Sequence, residues 1–160
     1  VLYGHDKFAI ISRISPFTYG INCSIPFDNK IHPECKKSIK DDHALFQEAL
    51  KVFLRSGDVV VPGQTKVIHE FRPASPDDIV AIVEVYRSTN QDPSCIYDGG
   101  CTRIGVIEFY FEKHNESHVR RGITRNRIVE IIMYFEHTEL TVEARESGTN
   151  NNVEAKYDFL

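Results

Sequence analysis

The side chains able to do chemistry in this 160-residue chain are seven histidines, four cysteines and a few adjacent acids, and their spacing gathers none of them into a centre. His5, His32, His43, His69, His114, His118 and His137 are scattered. His114 and His118 have the i, i+4 spacing of a helical metal pair, but their surroundings do not read as helix, so nothing would aim both rings at one ion. Cys23, Cys35, Cys95 and Cys101 include no C-x2-C pair, which leaves a zinc site without support. A Cys95–Cys101 disulfide would close a short loop, yet the rule for intracellular chains favours free thiols. Cys35 could be matched with a distant histidine as a nucleophile pair, but no feature selects that match. Asp41-Asp42 and Asp77-Asp78 are neighbouring loop acids, which water ordinarily solvates. The chain has no G-x-S-x-G elbow, phosphate-binding loop or dinucleotide fingerprint. No catalytic residue and no metal ligand is therefore assigned, and the chain does not read as an enzyme. Asn22-Cys23-Ser24 and Asn115-Glu116-Ser117 match a glycosylation pattern that would matter only in a secreted chain.

The net charge of −4 argues against nucleic-acid binding, which relies on Lys and Arg neutralising phosphates. No apolar run approaches the roughly 20 residues of a membrane helix. The length suits one domain that buries about 70% of the unfolded chain's surface. Val1 opens the sequence with neither an initiator Met nor a signal peptide, so the chain reads as a fragment of a longer, cytoplasmic protein.

The strongest structural signal is C-terminal. Leu140, Val142 and Ala144 alternate with polar residues, as do Val153, Ala155, Tyr157 and Phe159. A period of two gives a strand one buried and one wet face. Residues 128–135 are apolar almost throughout, which suits a strand covered on both sides. Residues 136–138 and 147–150 break these runs at turn-sized intervals, predicting an antiparallel meander. Earlier strands are predicted over residues 17–27, 66–72, 79–86 and 103–111; residues 8–14 read as a linker or edge strand, and residues 58–61 as a short strand or extended entry before the Pro62-Gly63 turn. Residues 28–40 and the basic stretch 113–127 read as solvated loops, and residues 90–100 as a long loop. Residues 41–54 read as the one helix: Asp41 or Asp42 caps it, and Leu45, Phe46, Ala49, Leu50, Phe53 and Leu54 share a face at helical spacing. The prediction is a mainly β fold, a two-layer antiparallel β-sandwich of about eight strands with one inserted helix near residues 41–55.

Several segments, in order, resemble the substrate-binding β-domain of the 70-kilodalton heat-shock chaperones, in a divergent branch. Ser15-Pro16-Phe17-Thr18-Tyr19-Gly20-Ile21 resembles the branch's S-P-x-T-Y-G opening. Val61-Pro62 resembles the family's I-P before the third strand, and Ile104-Gly105 its L-G before a strand. The Asp158-Phe159-Leu160 ending and the insertion over residues 28–57 are features of the branch. The resemblance divides the chain into residues 1–14, the end of an ATPase domain plus an interdomain linker carrying Ile10, Ile11 and Ile14, and residues 15–160, the sandwich.

The resemblance implies a module that grips extended apolar polypeptide segments. Ile21, Ser24, Phe71, Ala74, Ala81, Val83 and Val85 would line or arch over the cleft. It implies that ATP and Mg2+ bind a separate N-terminal ATPase domain, with no cofactor in this chain and that ATPase domain as a partner. Three departures matter. Ser24 stands where a large apolar residue is usual, making one wall small and polar. Ser12 and Arg13 break the usual leucine-rich linker, which puts ATP-driven coupling in question. No helical lid follows the sandwich, so peptides are expected to exchange quickly. Exposed Ile10, Ile11 and Ile14 would favour self-association. The competing reading is a scaffold or recognition sandwich that holds a protein, or an anionic glycan or lipid, through the insertion or the basic loop.

Overall fold

The computed structural model describes residues 11–73, 75, 77–112 and 127–159. These form eleven strands: β1 Arg13–Ile14, β2 Thr18–Pro26, β3 Lys37–Lys40, β4 His43–Leu54, β5 Val59–Val60, β6 Lys66–Phe71, β7 Val80–Ser88, β8 Cys101–Tyr110, β9 Val129–Phe135, β10 Glu139–Glu146 and β11 Asn152–Asp158. One sheet has the order β3-β4-β2-β7-β8 and the other β11-β10-β9-β6, while β1 and β5 pair separately. All pairings are antiparallel. The fold is a mainly β, two-layer sandwich. It exceeds the expected eight strands because β1, β3 and β4 add to them, β4 in place of the predicted helix.

The predicted meander is β9-β10-β11. Leu140, Val142 and Ala144 are fully buried, and with Ile131, Met133 and Phe135 they pack against Tyr19, Val85 and Phe109 of the other sheet. Tyr19, Phe135 and Phe159 form a triangle of edge-on rings with centroids 5.3–6.0 Å apart. The first hairpin closes through Glu136 N–H donating to the Glu139 carbonyl at 2.9 Å.

The predicted helix is a strand. Residues 43–54 form β4, and Asp41 and Asp42, both with positive φ (49° and 62°), make the two-residue turn from β3 rather than a helix cap. The deceptive spacing has a physical origin. Between Tyr19 and Gly20, and again between Cys23 and Ile25, the β2–β4 register slips, each time placing an extra residue in β4. A bulge resets the in-out alternation, so Phe53 and Leu54, neighbours in sequence, both reach the inter-sheet core. Burial at Phe46, Ala49, Leu50, Phe53 and Leu54 thus imitates a helix face.

On the outer face, Phe46 stacks on His32 with centroids 4.3 Å apart. The predicted loop over residues 90–100 covers the rest of β4's outer edge. Leu50 N–H donates to the Ser94 carbonyl at 3.2 Å, and Ile96 N–H to the Glu48 carbonyl at 3.0 Å. Asp98 accepts from Ser94 N–H at 2.6 Å and holds that loop's turn.

Candidate functional site: a split in the larger sheet

β2 and β7 pair only along residues 18–21 and 85–88. Beyond that, residues 22–26 stay with β4 and residues 80–84 stay with β8, so the sheet divides into two arms. At the vertex, Asn22 Nδ2 donates to Glu84 Oε2 at 3.0 Å, and Arg103 donates to Glu84 Oε1 at 3.0 Å. Gly20 sits one pair before the vertex region, where a Cβ would lie 2.4 Å from the Lys51 carbonyl oxygen. Only glycine lets β2 approach β4 this closely.

Between the arms lies a groove of about 590 Å³. Ligand sites commonly span about 300–1,000 Å³. Residues 21–24 form one wall and residues 80–83 the other, with Phe71, Val129 and Ile131 from the second sheet beneath. Lys40, His43 and Leu45 of the β3–β4 hairpin, and Glu70, Arg72 and Asp78 of β6 and the β6–β7 loop, add polar and charged groups to the lining. Lys40 Nζ and Asp78 Oδ1 are 3.5 Å apart. The groove is apolar at depth and polar at its mouth. Burial pushes the Cys23 thiol pKa up, with the Lys51 cation partly opposing it.

Of the residues proposed from sequence, Ile21, Ser24, Phe71, Ala81 and Val83 come together around this groove. Ile21 and Val83 sit at its base and also belong to the inter-sheet core, whereas Ser24 is exposed on the wall. Val85 is fully buried in the core and does not line the groove. Ala74 and Ile10 lie outside the described residues, as do His114, His118 and residues 113–126 of the basic loop. Ile11 and Ile14 are exposed, Ile14 opposite Val59 in the β1–β5 pair. Ile104-Gly105 lies within β8 rather than before it, and Gly105 faces the Tyr157 ring.

Sequence reasoning missed Asn22, Lys40, His43, Leu45 and Asp78. His43 and Leu45 were hidden by the helix assignment, and Lys40 by the loop assigned to residues 28–40. The Asp41-Asp42 pair flanked by Ile39 and Leu45 was the available sign of a hairpin. All four cysteines are free, and no group of three or more potential metal ligands occurs among the described residues. Nor is any described helix long and apolar enough to cross a membrane.

The fold and the groove together define a two-layer antiparallel β domain with a cleft opening inside one sheet. No protein-family model matches the chain. Over its full length the chain is 28% identical to heat shock 70 kDa protein 12A of Mus musculus and 26% identical to that of Homo sapiens. It is 27% identical to heat shock 70 kDa protein 12B of Homo sapiens. It spans 23% of the length of each of these relatives. The similarity to these heat-shock-70-like 12A and 12B proteins runs along the whole chain.

Proposed function

We propose that the groove holds an extended, apolar polypeptide segment, and that the chain is the client-binding module of a heat-shock-70-like chaperone. The split between β2 and β7 is the observation that supports this reading. Over residues 22–26 and 80–84 the two strands separate and share no ladder, each staying paired only to its outer neighbour. An extended segment can bond to such backbone edges whatever its sequence, while alternate side chains sink into apolar pockets. The reading gives the chain no catalytic step. It places ATP and Mg2+ in a separate ATPase domain, and the protein in the cytoplasm.

The alternative, an anionic glycan or lipid site, has less support. The second hollow, about 420 Å³, sets Arg87 and Lys156 beside Glu139 and Asp158, so no single charge dominates it.

The test is fluorescence anisotropy of a labelled, leucine-rich extended peptide titrated with the wild type, Ser24→Trp and Ala81→Glu. Val83 is a poor choice because it also serves the core. Saturable binding is expected, weakened about ten-fold or more (~1.4 kcal/mol) by each variant. Circular dichroism should show both variants folded. Absence of binding, or equal binding by folded variants, refutes the proposal.

A further inference from the structure

We propose that Lys40 and Asp78 form an electrostatic latch over the groove mouth that sets how fast a bound segment leaves; this rests on the peptide reading above. The two residues come from opposite sides of the opening. Lys40 ends β3 beside the Asp41-Asp42 turn, at the tip of a hairpin that is anchored at its base. At the base Phe46 stacks on His32, and nearer the tip Phe27 N–H donates to the Ala44 carbonyl at 3.0 Å, leaving only the Lys40–His43 end beyond it.

Asp78 is the fixed partner. Its Oδ2 accepts from Ser75 N–H at 3.0 Å, and its carbonyl accepts from buried Arg127 at 3.3 Å. The remaining oxygen, Oδ1, is the one 3.5 Å from Lys40. One side is therefore held by two groups, Ser75 and Arg127, while the other is a flexible ammonium stem on a hairpin tip. Opening the mouth requires moving the hairpin, and breaking this pair is part of that movement. With both side chains about one-third exposed (37% and 31%), the pair is open to screening by salt.

The experiment measures release of the labelled peptide by stopped flow, and hydrogen exchange over residues 40–46. It uses the wild type, Lys40→Met, Asp78→Asn and the double variant. Each single variant is expected to release peptide faster, up to about five-fold, as exposed pairs allow. The double variant should be no faster than the singles, because both remove the same interaction. Raising salt from about 0.1 M to about 1 M shortens the Debye length from about 10 Å to about 3 Å, which should accelerate the wild type alone. Unchanged release in both single variants, or additive acceleration in the double, overturns the latch. If no protein binds peptide, the peptide reading fails separately. Hydrogen exchange then decides: faster exchange over residues 40–46 in both singles supports the closure, and unchanged exchange refutes it.

Discussion

Replacing Gly20 with alanine tests whether the groove depends on the close approach of β2 to β4. The added Cβ would stand 2.4 Å from the Lys51 carbonyl oxygen, 3.1 Å from its carbon and 3.2 Å from Leu50 Cγ. Ordinary contact begins near 3.4 Å, so the carbonyl must retreat by about 1 Å. The obstacle is backbone of β4, which lies between β2 and β3 and cannot rotate away like a side chain. Overpacking costs about 1–3 kcal/mol, and a backbone obstacle belongs in the upper half of that range. For a domain of this size each kcal/mol lowers Tm by about 2–4 °C, so a fall of about 4–12 °C is expected. Thermal and urea unfolding followed by circular dichroism measure it. Gly99→Ala is the control, since nothing lies within 4 Å of its Cβ. Because Gly20 pairs with Tyr86 next to the last β2–β7 pair, the variant should also weaken peptide binding. A Gly20→Ala protein as stable as Gly99→Ala would refute the close-approach argument.

Two further predictions concern stability. Arg127 and Glu146 are a buried pair, with side chains 7% and 8% exposed, and Arg127 also donates to the Glu112 carbonyl at 2.9 Å. Arg127→Met should lower unfolding stability in urea by about 3–5 kcal/mol, because Glu146 is left buried without its cation. His69 packs edge-on against Phe53 at 4.6 Å, and its pKa is held below 6.5, first by burial and then by the Lys51 cation. The folded state resists protonating this ring, so its contribution is complete above pH 6.5 and is lost as pH falls from there through the lowered folded value. Urea midpoints measured from about pH 7.5 down to about pH 5 should decline for the wild type and decline less for His69→Phe.

The C-terminal half was legible because its physics is local. Leu140, Val142 and Ala144 alternate without interruption, and the turns around them are short, so period two identifies the strands. β4 was not legible, because its buried positions depend on two bulges against β2, a strand more than twenty residues away. Ala49, Leu50 and Lys51 favour helix locally, and long-range pairing overrides them. The groove was half legible for the same reason. Residues carried by regular strands, such as Ile21, Phe71 and Ala81, could be placed from an ordered resemblance. Lys40 and Asp78 meet only because a hairpin and a loop converge in space. Val85 shows the opposite failure. It alternates in register with Ala81 and Val83, but β7 rejoins β2 at that point and closes the sheet over it.

The position of the split within the sheet also bears on aggregation. A strand added to the outer edge of a sheet leaves its own far side unpaired, so the next chain can add to it, which is how fibrils grow. The slot between β2 and β7 is bounded on both sides by strands already paired outward, to β4 and to β8. One segment entering it would exhaust the free edges on both walls and create none. Such a geometry permits backbone capture with a fixed stoichiometry of one, and it separates holding a sticky segment from templating more of them.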